Sequence, residues 1–194
     1  MSAYRTTNIL DLIDAIGEDE VTQILSDFSC PKNPEIENFV KKNAINFAKQ
    51  KISVTHLAFN DEGELMAVFT LAHKALELND ENMSESNRKR IRRYARLNEI
   101  SNSYTVSAFL IAQFGKNYAN GREAQSDGNT LMESAMKTLV AVQREVGGGI
   151  VYLECEDKPQ LLAFYQNSHN AFHPFDERYS ESDQTKYIQL LRFF

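Results

Sequence analysis

Apolar residues at helical spacing predict two helices within the first fifty residues. The segment Thr7–Ile16 has apolar residues at helical intervals and ends before Gly17, a typical C-terminal stop. Asn33 and Pro34 mark the start of a second helix, which extends to residue 50, because Asn caps helix N-termini and Pro suits the first turn. The intervening segment Val21–Cys30 alternates imperfectly and is predicted as a strand.

Apolar runs in the rest of the chain predict a sheet. Strands at 52–59 and 65–71 form a hairpin through a turn at 60–63, and a polar region with a helical stretch at 84–98 follows. The remaining predicted elements are a strand at 104–114, a helix at 128–145, a strand at 150–155, a helix at 159–167, and strands at 172–179 and 187–194. This order favours an α/β or α+β fold in which helices cover a central sheet.

The composition is that of an ordinary globular protein. The 194 residues suit a single domain, and 42% of them are hydrophobic. The net charge of −6 argues against a surface devoted entirely to nucleic acid. Cys30 and Cys155 are expected to be reduced thiols that pack in the core. The sequence shows neither a secretory leader nor a membrane-spanning run, so we expect a cytoplasmic protein with no membrane partner.

The segment 125–130 is the main candidate for chemistry. It reads Gln-Ser-Asp-Gly-Asn-Thr and lies between a predicted buried strand and a long helix. Backbone N–H groups converge at a helix start, the helix dipole favours anions there, and Gly128 allows a phosphate to approach the backbone. The segment is neither a Walker A loop nor the three-glycine dinucleotide motif. The alternative is a helix start that is simply capped by Ser126 or Asp127.

The order of motifs along the chain resembles the GNAT superfamily of acyl-CoA-dependent N-acetyltransferases. The family's phosphate loop has the pattern Q/R-x-x-G-x-G/A, follows a strand, and precedes a strand and a helix that carries a Phe/Leu-Tyr pair. The matching residues here are the strand end Phe114-Gly115-Lys116, then Gln125, Gly128 and Thr130, then the strand 151–155, the pair Phe164-Tyr165 and the closing strand 187–194. The resemblance covers residues 52–194 and, through the helix at 34–50, most of the rest. It implies a single GNAT-like domain over 1–194, with a mixed, mostly antiparallel central sheet flanked by helices and a short helical extension at 1–20.

The resemblance also implies an activity: transfer of an acyl group, most simply from acetyl-CoA to a primary amine, in a ternary complex and without a metal. Backbone groups of Phe114, Gly115 and Lys116 would pair with the pantetheine arm of coenzyme A as if it were another strand. The pyrophosphate would bind the amides of Gln125, Ser126, Asp127, Gly128, Asn129 and Thr130. A strand N–H near Phe114 would stabilise the oxyanion, and Tyr165 would protonate the departing thiolate. The resemblance does not identify the amine acceptor, and it is compatible with a homodimer.

Departures from the family pattern leave a non-catalytic acyl-CoA sensor or scaffold as an alternative. Thr130 is branched where the family has Gly or Ala. The segment 165–172 is longer than in the family and lacks its Gly, so Asn167 or Asn170 is expected to adopt the left-handed conformation.

No general base stands out in the sequence. The candidates by position are Glu99, Glu154 and His73, and each is also explained as a surface or structural residue. A proton transfer relayed by water is equally compatible with the sequence. His169 and His173 are four residues apart but no further ligand accompanies them, so we expect no metal site.

Six of the nine residues from Arg88 to Arg96 are basic, and none is acidic. Clustered arginines with an interleaved tyrosine suit nucleic-acid binding. Some GNAT enzymes are toxins that acetylate aminoacyl-tRNA, and the segment Phe28-Ser29-Cys30 and the hairpin distantly resemble theirs. The resemblance therefore implies, as a second alternative, a toxin-like GNAT enzyme that acts on aminoacyl-tRNA. The other interpretations of this basic segment are a solvated helix face and a contact with the 3′-phosphate of coenzyme A.

Overall fold

A computed structural model describes residues 4–81 and 83–194. In chain order the elements are β1 (Arg5–Asn8), α1 (Ile9–Ile16), α2 (Glu18–Ser26), α3 (Pro34–Lys42), α4 (Ala44–Lys49), β2 (Val54–Phe59), β3 (Leu65–Asn79), α5 (Glu85–Ile91), β4 (Ser103–Lys116), a 3₁₀ segment (Ala119–Gln125), α6 (Gly128–Val146), β5 (Ile150–Glu156), α7 (Pro159–Gln166), β6 (His173–Ser180) and β7 (Thr185–Phe193).

The strands form one seven-stranded sheet in the order β1-β2-β3-β4-β5-β7-β6. The β1–β2, β2–β3, β5–β7 and β6–β7 pairs are antiparallel, whereas β4 and β5 are parallel. The predicted mixed, mostly antiparallel sheet flanked by helices is therefore confirmed. The chain divides into two compact units, one built from residues up to Ala72 with Ile111–Thr138 and the other from His73–Leu110 with Leu139–Phe194. That the whole chain is a single domain stays a prediction.

The first unit packs α1–α4 against β1, β2 and the first half of β3. Its core consists of apolar side chains with almost no exposed surface, chiefly Ile9, Val21, Leu25, Phe28, Val40, Leu57 and Val68. The helix start at Pro34 is confirmed, because the Asn33 carboxamide accepts hydrogen bonds from the N–H groups of Glu35 (3.1 Å) and Ile36 (3.2 Å). The predicted helix at 34–50 is interrupted at Asn43, where α3 ends and α4 begins.

The second unit has its own core on β5, β7 and the parts of β3 and β4 that belong to it. Its most deeply buried side chains include Leu78, Ile91, Tyr104, Val106, Ile150 and Leu191. Two glycines follow α6 with positive φ, Gly147 at 78° and Gly148 at 104°. A Cβ at Gly148 would lie 2.9 Å from the ring of Phe109, so the position requires glycine for space as well as for conformation.

Three predictions about local structure are wrong in detail. Residues 21–30 do not form a strand, since α2 runs over Glu18–Ser26; Val21, Leu25 and Phe28 are buried at helical spacing, and acidic residues in the first turn suit the helix dipole. The predicted helix at 7–16 begins only at Ile9, after strand β1. The helical stretch at 84–98 is confined to Glu85–Ile91, because Ile91 is the last fully buried apolar residue on it.

Candidate functional site

The end of β4 is held firmly within the first unit. Phe114, Gly115 and Lys116 are its last residues, so the strand continues for two residues beyond the predicted end at 114. Gly115 is buried, and a Cβ there would lie 3.1 Å from the Cγ2 atom of Ile36 on α3. The glycine therefore serves close packing of a helix on the strand, a role that the sequence alone did not suggest.

Asn117, which the sequence analysis missed, anchors the chain directly after β4. Its carboxamide is fully buried; Nδ2 donates to the Leu65 carbonyl at 2.8 Å, and Oδ1 accepts from the Ser29 N–H at 2.9 Å. The Asn117 N–H donates to the Met66 carbonyl at 2.8 Å. No signal in the sequence marked this residue as buried, because it follows Lys116 at the start of a polar stretch.

The segment 125–130 lies next to this strand end in the same unit. Gln125 is exposed at the end of the 3₁₀ segment, and Ser126 is buried, with its hydroxyl donating to the carbonyls of Met66 (3.2 Å) and Arg122 (3.1 Å). The Lys116 ammonium donates to the Ser126 carbonyl. The structure thus brings the cationic end of β4 together with the 125–130 segment.

Asp127 caps α6, as one of the two interpretations of the sequence proposed. Its Oδ2 accepts hydrogen bonds from the Thr130 N–H at 2.9 Å and the Thr130 hydroxyl at 2.8 Å. Burial by itself would raise the pKa of Asp127. Hydrogen bonds from Thr130 and from the Asn129 N–H, together with the charge of Lys116, outweigh this effect, so the pKa is lowered. At neutral pH the helix start consequently holds an anion, and that anion is a side chain of the protein.

Tyr4 is a second contact of this segment that sequence reasoning missed. The Asp127 N–H donates to the Tyr4 hydroxyl at 2.8 Å. Nothing in the sequence links these residues, because 123 positions separate them along the chain.

Tyr165 belongs to the second unit, where it lies on α7. It is buried, with ring contacts to Phe164 (5.0 Å between centroids) and Phe172 (6.2 Å). Burial raises the pKa of Tyr165, and the negative charge that Cys155 carries once it is deprotonated raises it further. The phenol therefore keeps its proton at neutral pH, which is the state that a proton donor requires.

The chain after Tyr165 turns differently from the prediction. Ala171, with φ of 52°, adopts the left-handed conformation that was expected at Asn167 or Asn170. Asn167 instead accepts hydrogen bonds through its side chain, including one from the Asn170 N–H at 2.8 Å. The buried Asn170 donates to the Phe164 carbonyl at 2.7 Å and so satisfies the end of α7.

The side chains considered as bases are mostly engaged elsewhere. Glu154 forms an ion pair with Arg178 at 2.7 Å, and His73 Nε2 lies 2.6 Å from the hydroxyl of Ser107. Glu99 is exposed in a turn. Burial raises the pKa of Cys155 to about 11, so this thiol stays protonated at neutral pH and is a poor nucleophile.

His56 on β2 is the titratable residue that the sequence analysis overlooked. Its ring stacks on Phe69, with centroids 4.9 Å apart and planes 8° from parallel. Burial lowers its pKa to about 4, against a small opposing effect of Asp11. The imidazole is therefore neutral at physiological pH.

Residues 4–81 and 83–194 offer neither a cluster of metal ligands nor a membrane-spanning helix. No group of three or more His, Cys, Asp or Glu side chains is arranged to hold a metal ion. Nor does any helix in these ranges combine the length and the apolar character needed to cross a membrane.

The geometry places the chain among proteins with the GNAT fold. No protein-family model and no curated protein matches the sequence. Solved structures do match, and they include toxins named AtaT and KacT. AtaT complexed with acetyl-methionyl-tRNAfMet superimposes with a TM-score of 0.61 at 14% identity, covering 88% of this chain and 86% of the other. A KacT mutant gives a TM-score of 0.65 at 13% identity, covering 98% and 95% of the two chains. AtaTR bound with acetyl-CoA gives 0.59 at 14% identity, covering 100% and 94%. At these low sequence identities, the structural similarity establishes the fold alone.

Proposed function

We propose that this protein is an N-acetyltransferase that transfers the acetyl group of acetyl-CoA to a primary amine. The observation that carries the proposal is the start of α6, where backbone N–H groups converge on an anion directly beside the end of β4 in a GNAT fold. The AtaTR structure bound with acetyl-CoA is a structural neighbour and adds support.

The Asp127 carboxylate is an anion, as a pyrophosphate is, so its contacts indicate whether these residues suit a pyrophosphate. It accepts hydrogen bonds from the N–H groups of Asn129 and Thr130, so both donors already serve one carboxylate, which supports a role for them in anion binding. Lys116 adds a positive charge next to the same segment. The residues therefore fit coenzyme A, provided that the Asp127 side chain rotates away from Thr130 when the pyrophosphate binds.

The roles proposed for the other site residues depend on the backbone groups of residues 114–116 and on the protonation of Tyr165. Coenzyme A supplies an acyl thioester, which is the electrophile that an amine attacks. Phe114, Gly115 and Lys116 would hold the pantetheine arm through backbone hydrogen bonds. As the C–N bond forms and the C–S bond breaks, Tyr165 would donate a proton to the departing sulfur, because its raised pKa keeps the hydroxyl protonated. Water would accept the proton that the amine loses and return one to Tyr165.

An aminoacyl-tRNA is the acceptor that we propose as the second, finer candidate. The AtaT neighbour was solved with acetyl-methionyl-tRNAfMet, and the basic segment 88–96 provides cations for an RNA. A small amine remains the alternative acceptor, and thiol release with each acceptor class distinguishes them.

Calorimetric titration with acetyl-CoA, combined with an assay of thiol release, tests the proposal. We expect micromolar binding by the unaltered protein and affinity about fivefold weaker in Lys116→Ala, because one nearby cation is lost. Lys137→Ala is the matched control, since Lys137 is exposed on α6. Binding without thiol release to any amine or aminoacyl-tRNA would favour the sensor alternative. No binding at all would mean that the start of α6 is only a capped helix.

A further inference from the structure

The basic segment 88–96 contributes a set of cationic side chains to the second unit. The side chains of Lys89, Arg93 and Arg96 are exposed. In the part of the chain that the structure describes, none of these three side chains has a hydrogen bond or an ion pair. Their charges are therefore available to a partner.

Two further arginines are held in place without being neutralised. The Arg90 guanidinium lies 3.8 Å from the ring centroid of Phe193, and Arg92 Nε donates to the Tyr104 hydroxyl at 3.2 Å. Both partners are uncharged, so the positive charge remains while the side chain loses freedom. Arg88 differs, because it is paired with Asp80 at 3.2 Å and belongs to the fold rather than to the surface.

Tyr94 supplies an aromatic ring among these cations. The residue is 49% exposed, and its ring rests on the backbone of Gly149, where an added Cβ would lie only 2.1 Å from the Tyr94 Cζ atom. The ring is thus supported on one side by a glycine that leaves room for it. A supported, half-exposed aromatic ring between arginines is suited to stacking with a nucleobase.

We propose that the surface formed by Lys89, Arg90, Arg92, Arg93, Tyr94 and Arg96 binds RNA, with the cations on phosphates and Tyr94 stacked on an unpaired base. The inference rests on the proposed function for its chemistry, because it supplies the docking surface for an RNA-linked amine. RNA is favoured over an acidic protein because a half-exposed aromatic ring, Tyr94, lies within the basic segment, and such a ring has no use in pairing with carboxylates. The net charge of −6 means that the rest of the protein repels RNA, so binding is directed to this surface.

The test is the affinity for fluorescently labelled tRNA, measured by anisotropy over a series of salt concentrations. The triple variant Lys89→Ala, Arg93→Ala and Arg96→Ala removes only charges without a partner in the described structure. The matched control carries Lys42→Ala, Lys137→Ala and Arg144→Ala, three exposed cations elsewhere, and so has the same net charge. A single variant, Tyr94→Ala, tests stacking alone.

We expect the triple variant to bind tRNA at least about tenfold more weakly than the control, and its slope of log affinity against log salt to be shallower by about two. Tyr94→Ala is expected to lose about tenfold with an unchanged salt slope. Equal tRNA affinity of the triple variant and the control overturns the proposal, as does the absence of tRNA binding by the unaltered protein at low salt. Stronger binding of polyglutamate than of tRNA also overturns it and identifies an acidic protein as the partner.

Calorimetry with acetyl-CoA on the same variants separates this inference from the proposed function. Unchanged acetyl-CoA affinity in the triple variant, together with weakened tRNA binding, supports the RNA surface. A loss of acetyl-CoA affinity with unchanged tRNA binding would assign the cations to the 3′-phosphate of coenzyme A and overturn the inference. Failure of every variant to bind acetyl-CoA would refute the proposed function, while the tRNA result would still decide the RNA surface.

Discussion

Replacing Asp127 by asparagine separates two effects of one carboxylate at the start of α6. Asp127 caps the helix through Thr130, and it also places a negative charge where we propose that a pyrophosphate binds. Asparagine caps a helix about as well as aspartate, so Asp127→Asn should change the free energy of unfolding by less than about 0.5 kcal/mol. Asp127→Ala removes the cap as well and should cost about 1 kcal/mol.

The charge has the larger consequence for binding. Repulsion between two unit charges about 5 Å apart amounts to roughly 1–3 kcal/mol at a partly exposed site, and 1.4 kcal/mol is tenfold in affinity. Asp127→Asn should therefore bind acetyl-CoA about tenfold more tightly than the unaltered protein in calorimetric titration at neutral pH. The gain should shrink at high salt, because screening weakens the repulsion that is removed.

The control for this experiment is Asp14→Asn, which removes a charge from an exposed position on α1. Thr130→Ala provides a second approach, since it deletes the hydroxyl that donates to Asp127 and should give a smaller gain in affinity. If Asp127→Asn binds acetyl-CoA no more tightly than Asp14→Asn, the N–H groups at this helix start do not hold the pyrophosphate, and the reasoning is refuted.

Three other substitutions probe the proposed acid, a backbone position and a buried histidine. Tyr165→Phe should keep acetyl-CoA affinity while thiol release slows about a hundredfold or more, and equal rates would exclude the phenol as proton donor. Gly148→Ala should lower the melting temperature more than Gly147→Ala does; both have positive φ, but only at 148 does an added Cβ meet a phenylalanine ring, at 2.9 Å. The pKa of His56 is about 4 in the folded protein, against an ordinary 6.5. The unfolded chain therefore binds a proton at a higher pH than the folded protein does, so the free energy of unfolding should decrease as the pH drops from 6.5 to 4. His56→Gln should remove up to about 3 kcal/mol of this loss in denaturant titrations at several pH values, and His173→Gln, at an exposed position, is the control.

Local signals in the sequence were enough where one short segment decides its own conformation. Asn33 and Pro34 start a helix because a cap and a fixed φ act within one turn. The turn of the hairpin between β2 and β3, the long helix α6 and the strand β5 were predicted for the same reason. The order of these elements was also sufficient to indicate the GNAT fold, since the family is defined by that order.

Contacts between distant residues could not be obtained in this way. Residues 21–30 form a helix because their apolar side chains fit into the core of the first unit, although their spacing in the sequence was ambiguous. Gly115 was assigned to the cofactor, yet a Cβ there would also lie within 3.1 Å of Ile36 on another element. In both cases the contacting residues are distant in the sequence, so local patterns give no sign of the contact.

The candidate site shows the same division. The sequence by itself determined that residues 125–130 begin a helix and that an anion is favoured there, since both follow from backbone geometry and from a cap three residues before its donor. Only the tertiary structure decided which groups surround that start: Lys116 from β4, and Tyr4 from more than a hundred residues away. Local conformation depends on neighbours in the chain, whereas the electrostatics of a site depend on neighbours in space, and only folding brings those together.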